Sequence, residues 1–379
     1  MKGKILKNFL MVPFLFMSFS NLEARTNMDA AEFCLQAKDF SGCMELMDKK
    51  SLENDQIKAP SENSTSLEEL NKKIKNDRKD IVSLLARSKV KYLKFGDYLG
   101  ALNDTEEVIN LDSRSSEAYL IRGVIKAIEF EDFQQALLDF NRASSLNKNN
   151  SNIYMVLGYL KSWTLSKHDE GLLELNKAIN LDSKNSLAYF FRGMIKNSLA
   201  EKYLDKENDS KEKELIFAAN DDFSKSLEYY QDTINPLFTR LYPFGYKHLI
   251  FLRRANNNFD LGVSFYKEDK GKHQEYINKT VEDYSSYIEF APTLDQVEKL
   301  ESPAKTFDHN QIKINGHTWR GNAYTWTKKS RKKNVCSDYK KVYRFSKKFD
   351  DMPYSLYEKY HYNDSAIMEG FLNYGEWCR

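Results

Sequence analysis

Residues 108–126, VINLDSRSSEAYLIRGVIK, and residues 178–196, AINLDSKNSLAYFFRGMIK, are identical at twelve of nineteen positions. A weaker third copy, SSLNKNNSNIYMVLGYLK at 144–161, lies between them and sets the period at 35 residues. Gly123, Gly158 and Gly193 fall in step, as do Leu111, Leu146 and Leu181 and the small residues Ala101, Ala136 and Gly171. A unit this short with two apolar helical segments can bury its apolar faces only against its neighbours. The period therefore predicts an all-α fold, an α-solenoid of about four to six helix-turn-helix units.

A repeat array can use all 379 residues as one body, so length alone does not set the domain count. The 41% hydrophobic and 13% aromatic content excludes wholesale disorder, and 15 Gly with 7 Pro suit long helices. With 57 basic and 55 acidic side chains the net charge is +2, so no whole-protein field favours nucleic acid or an anionic membrane.

The first 24 residues have the layout of a secretory signal peptide: Lys2, Lys4 and Lys7, an apolar run from Phe9 to Phe19, then small residues at Ser18, Ser20 and Ala24. The run is shorter than the roughly 20 residues a spanning helix needs. The expectation is an exported chain, periplasmic or secreted, with no stable membrane insertion once the leader is cut; the alternative is tethering by an uncleaved leader. Four cysteines fit an oxidising compartment. Their separation into two pairs suggests disulfides Cys34 to Cys43 and Cys336 to Cys378, although four cysteines allow three pairings. Metal binding is the weaker rival, because no CxxC exists and no His stands at ligand spacing beside them.

Residues 25–50 read as a short helical hairpin and 51–66 as a polar linker, with Ser66 and Glu69 forming a capping box for the next helix. The array is expected over 67–233, with units at 82–115, 116–150, 151–185 and 186–233, the last carrying a charged insert at 200–215 that is either helix extension or loop. Residues 234–314 read as a degenerate repeat and irregular link, and 315–379 as a final unit with a capping tail.

The units resemble the tetratricopeptide repeat, a helix-turn-helix of 34 residues with the pattern W-x2-L-G-x2-Y, A-x3-F, P. The first half reads Tyr119, Arg122, Gly123, Lys126, then Tyr154, Leu157, Gly158, Lys161, then Tyr189, Arg192, Gly193, Lys196. Partner halves are Ala136 with Phe140, Gly171 with Leu175 and Ala219 with Phe223. Ala101 and Gly321 join Gly123, Gly158, Gly193, Ala136, Gly171 and Ala219 as repeat-packing positions, where a small side chain lets two helices approach. The chain departs from the pattern in having Tyr for Trp, Lys for Tyr, and Ser113, Lys148 and Ser183 for the terminal Pro. The last unit is similar to the end of exported bacterial members: Val335, Cys336, Asp338 and Tyr339 open the second helix, and Trp377 and Cys378 close the chain.

The resemblance implies a scaffold whose first helices line a groove for a protein or peptide. Its candidate residues are Leu120, Val124, Ala127, Ile128, Met155, Tyr159, Trp163, Phe190 and Met194, with aromatic and Met side chains as anchors. Lys328, Lys329, Arg331, Lys332 and Lys333 offer a second contact, to an anionic envelope surface, and export argues against nucleic acid. An envelope- or polysaccharide-binding module built on the basic, aromatic C-terminal region is the alternative to a protein scaffold. No HExxH, GxSxG or phosphate-binding Gly loop is present, and the six His are scattered at 168, 248, 273, 309, 317 and 361. Neither an enzyme, a cofactor nor a metal is expected.

Overall fold

The computed structural model describes residues 61–204, 209–231, 245–292, 304–327 and 332–346, together with Cys378. The chain divides into two units, Met1–Thr65 and Ser66–Arg379. Of the first, only the opening of one helix is described, and the predicted hairpin at 25–50 with Cys34 and Cys43 lies outside the described residues.

Every described element is helical. They are α1 Ser61–Asn76, α2 Ile81–Val90, α3 Tyr98–Leu111, α4 Ser116–Glu129, α5 Phe133–Leu146, α6 Ser151–Trp163 and α7 His168–Leu181, then α8 Ser186–Leu204, α9 Asp209–Glu228, α10 Lys247–Ser264, α11 Lys270–Phe290, α12 Ala304–Thr325 and α13 Lys332–Ser346. From α2 onward they pack as consecutive pairs, each against the next, forming an α-solenoid.

Three boundaries differ from the sequence reading. The linker does not extend to residue 66: α1 begins at Ser61, so Ser66 lies inside the helix and cannot cap its start. The insert at 200–215 is largely helix extension, because α8 runs to Leu204 and α9 starts at Asp209. Residues 234–314 hold a complete pair, α10 with α11, and α12 starts at Ala304, inside the supposed link.

Local chemistry explains why the helices start and stop where they do. Asp97 and Asp132 accept from Gly100 and Gln135 backbone N–H groups at 2.8 and 3.1 Å, capping α3 and α5. Ser116, Ser151 and Ser186, each the first residue of a first helix, donate to the carbonyls of Ala143, Ala178 and Ser226 at 3.0, 2.9 and 2.6 Å. Serine thus closes each unit by occupying an orphan carbonyl at the end of its second helix.

Within a pair, small residues set the approach. A Cβ on Gly123 would lie 2.6 Å from the Phe140 ring, and one on Gly158 would lie 2.9 Å from the carbonyl oxygen of Gly171. Gly193 meets Phe223 and Gly321 meets Tyr339 in the same manner. Ala101, Ala136 and Ala219 are fully buried on the second helices.

A polar device repeats alongside this packing. Arg122 donates through Nε and Nη2 to Asp139 at 2.9 and 2.6 Å. The same fork joins Arg87 to Asp104, Arg192 to Asp222, Arg254 to Asp283 and Arg320 to Asp338. Each Asp is buried, which only so complete a pairing can tolerate. The remaining arginine nitrogen reaches the preceding second helix: Arg87 donates to Asn71, Arg192 to Asn176, Arg254 to Ser224 and Arg320 to Ser285. One side chain therefore ties three helices. In the 151–185 unit Leu157 replaces Arg, and Lys161 binds Glu174 at 2.7 Å instead.

The junction of α8 and α9 with α10 is joined by amides. Asn197 and Asn257 exchange hydrogen bonds at 2.9 and 3.0 Å, Asn257 donates to Asn220, Asn220 to Asn258, and Asn258 to Asp283. Tyr284 donates to Asn256 at 2.8 Å. In the final pair Cys336 of α13 is bonded to Cys378, linking residues 42 apart.

Candidate binding face

Each first helix carries a stripe three residues before, one after and five after its Gly or Ala crossing point, since positions four apart share a helix face. The deepest row holds Leu120, Met155 and Phe190; the middle row holds Val124, Tyr159 and Met194; the outer row reads Ile128, Trp163, Ser198, Asp260 and Trp326.

Leu120, Val124, Met155, Phe190 and Met194 are buried. They were expected to face a groove; instead they belong to one buried apolar cluster. Phe190 packs its ring against Phe191, Phe223 and Tyr246 at 5.8, 6.2 and 5.3 Å. Those five residues are part of the core. Ala127, Ile128, Tyr159 and Trp163 are only partly buried and lie against that core. The Tyr159 ring lies 4.7 Å from Phe191, and burial pushes its hydroxyl up to about 12, so it stays protonated.

Trp163 closes α6 with its apolar body on the core and its indole N–H enclosed, yet without an acceptor among the described residues. Indole N–H groups ordinarily find one when buried. His168, just beyond, is held below its ordinary pKa by burial and then by Lys202.

Two residues of the outer row were invisible as such in the sequence. Asp260 lies beside Leu261, which packs with Ala200 and Ile216 in one apolar cluster joining α8, α9 and α10. Trp326 packs edge-to-face on Phe259, Tyr266 and His273, with ring centroids 6.3, 5.6 and 6.1 Å away. Counting five residues from Ala255 and Gly321 finds both, but only once Arg254 and Arg320 are recognised as equivalents of Arg122.

Lys328, Lys329 and Arg331 lie outside the described residues; Lys332 opens α13 and Lys333 is exposed. Among the described residues, no three or more His, Cys, Asp or Glu side chains gather as metal ligands would, and no helix is long and apolar enough to cross a membrane. His317 instead sits with Arg320 on Asp338, its Nδ1 2.9 Å from the carboxylate.

No protein-family model matches the chain, and no curated protein matches it. Among solved structures it is similar to MamA, at 24% identity over 43% of this chain and 85% of that one, with a TM-score of 0.34. It is similar to YrrB, described as a TPR protein with an unusual peptide-binding site, at 19% identity over 61% and 98%, with a TM-score of 0.38. It is also similar to the C-terminal part of a TPR repeat-containing protein from Cytophaga hutchinsonii, at 14% identity over 75% and 90%, with a TM-score of 0.44. Those scores describe a partial likeness; the repeat type rests on this chain's own period, helix pairing and small-residue contacts. On those features it is an α-solenoid of helix-turn-helix units that resemble the tetratricopeptide repeat.

Proposed function

We propose that this chain is an exported, non-enzymatic scaffold that binds a protein or peptide on the outer row of its first helices. The observation that carries the reading is Trp163. It offers a partly exposed aromatic body beside Ile128 and Tyr159, together with an indole donor that no described residue satisfies. A peptide laid on this face supplies apolar contact for the exposed part of the ring. The leader-like first 24 residues support export.

The test is crosslinking capture from an envelope fraction, comparing the wild-type chain with an Ile128→Ala, Trp163→Ala variant shown by circular dichroism to melt cooperatively. A partner captured by the wild type and lost in the variant supports the reading. Equal capture by both, or none by either, overturns it.

A further inference from the structure

The second helices of three successive units each carry an exposed cation near their end: Arg142 on α5, Lys177 on α7 and Lys225 on α9. Each lies over a tyrosine in the opening turn of the first helix of its own unit. Arg142 is 5.9 Å from the Tyr119 ring centroid, Lys177 is 3.9 Å from that of Tyr154, and Lys225 is 5.5 Å from that of Tyr189. The residue after each cation fixes this meeting, because the carbonyls of Ala143, Ala178 and Ser226 accept from Ser116, Ser151 and Ser186. Hydrogen bonds also join the units along this edge: Asn185 donates to Ser151 Oγ at 2.7 Å, and Tyr246, just before α10, donates to Ser186 Oγ at 2.8 Å. The turns between units add three more exposed cations, Arg114, Lys148 and Lys184.

Among the described residues, no carboxylate pairs with the side chains of Arg142, Lys177 or Lys225. The other cations over two of these rings differ: Arg122 over Tyr119 and Arg192 over Tyr189, both at 5.4 Å, are committed to Asp139 and Asp222. The acids of the same edge are turned elsewhere. Glu117 bonds Lys89, while Asp112 and Asp182 accept the backbone N–H groups of Arg114 and Lys184 at 2.9 and 3.0 Å. A long side chain already settled on a ring has less rotamer freedom to lose on meeting an anion. The first helices α6 and α8 touch, and touching helices lie about 8–10 Å apart, close to three residues of extended chain at about 3.3 Å each. We propose that the edge formed by Arg142, Lys177 and Lys225 receives an acidic, extended segment of the partner protein, with a carboxylate at about every third residue. A single row in the order of the units suits a chain better than the plane of a bilayer. This deepens the scaffold reading and rests on it, adding a contact beyond Ile128 and Trp163.

The experiment is fluorescence anisotropy of the purified protein with labelled dodecapeptides carrying Glu, or Lys, at every third position. Sedimentation with vesicles of anionic phospholipid runs beside it. Wild type is compared with a variant combining Arg142→Gln, Lys177→Gln and Lys225→Gln, and with a charge-matched control combining Lys72→Gln, Lys75→Gln and Lys79→Gln, exposed lysines where the array starts. Each melting temperature is recorded. The Glu peptide should bind and the Lys peptide should not. The triple change on the edge should weaken binding about tenfold, as loss of three exposed ion pairs implies, and the control less than about twofold. Should the edge variant melt early, Lys177→Gln alone is expected to weaken binding about twofold to threefold at an unchanged melting temperature. Equal binding by wild type and the edge variants overturns the proposal, as does equal weakening by the control, absence of peptide binding, or binding to the vesicles alone. Should it fall while the Ile128, Trp163 variant still loses its partner, the scaffold reading stands.

Discussion

Arg254 grips Asp283 through Nε and Nη2 at 3.0 and 2.6 Å, 29 residues away in the chain, just as Arg122 grips Asp139 across 17. The geometry is conserved where the spacing is not. Replacing Arg254 by Ala strands a buried carboxylate that retains, among the described residues, only Asn258 as a side-chain donor. Urea unfolding should show a loss of about 3–5 kcal/mol, as expected when one partner of a buried pair is removed. Changing Arg254 and Asp283 both to Leu should cost much less, because Leu157 shows that the place accepts an apolar side chain. Equal losses for the single and double variants would contradict this account.

Gly158 and Gly171 let α6 and α7 cross with backbone against backbone. A Cβ on Gly158 would meet the Gly171 oxygen at 2.9 Å, and one on Gly171 would meet Gly158 oxygen at 2.8 Å and Ser162 Oγ at 1.9 Å. A backbone oxygen cannot swing aside as a side chain can. Gly158→Ala should destabilise by about 1–3 kcal/mol, the usual range for overpacking, and Gly171→Ala by at least as much. Unchanged denaturation midpoints would show that the helices slide apart freely.

The helix pairs α4–α5, α6–α7 and α8–α9 were legible because Gly, Ala and aromatic positions recur with little or no change of spacing. Arg192, Arg254 and Arg320 are spaced 62 and then 66 residues apart, so a search at 35 passes over the last two pairs. The apolar stripe of α10 is also interrupted by Asn256, Asn257 and Asn258, whose reason is the amide network and cannot be read from hydropathy. The candidate face was only half legible for a related reason. A first helix packed on both sides is apolar around most of its circumference, so periodicity could not separate buried Phe190 and Met194 from half-exposed Trp163. The leader-like first 24 residues and the hairpin expected around Cys34 and Cys43 lie outside the described residues.

Two buried groups give stability opposite pH dependences. The Asp260 carboxyl is pushed up to about 7 by burial, then by Glu212 and Glu201. It binds its proton more tightly folded than unfolded, so its contribution is full below about pH 4 and disappears as pH rises to about 7. His248, against Tyr287, is lowered to about 4 by burial and then by Lys313. Its contribution is full above about pH 6.5 and disappears as pH falls toward 4. Melting temperatures of Asp260→Asn should gain most over wild type at pH 8, and those of His248→Phe most at pH 4.5. Asp338 adds a third effect: burial raises its pKa, but hydrogen bonds from His317 and Arg320 outweigh that and hold it below the ordinary value, so its contribution is lost only in stronger acid. Parallel pH profiles for all variants would refute these assignments.

The turns inside the first three pairs are built alike on different residues. Gly96, Glu131 and Ser166 have φ of 66°, 52° and 53°, and the next residue's N–H bonds the carbonyl six back: Asp97 to Lys91, Asp132 to Lys126 and Lys167 to Lys161, at 3.0, 3.0 and 2.9 Å. This left-handed closure of a helix end is natural to Gly and costs an L side chain about 1–2 kcal/mol. Glycine removes that cost but adds about 0.4–1 kcal/mol of unfolded-chain entropy. Glu131→Gly and Ser166→Gly should therefore each stabilise by up to about 1 kcal/mol, while Gly96→Ala should destabilise by a similar amount. Measured by urea unfolding, opposite signs at 131 and 96 are the expected signature. A loss at all three positions would mean that the Glu131 and Ser166 side chains hold the turn in some way their backbone geometry does not reveal.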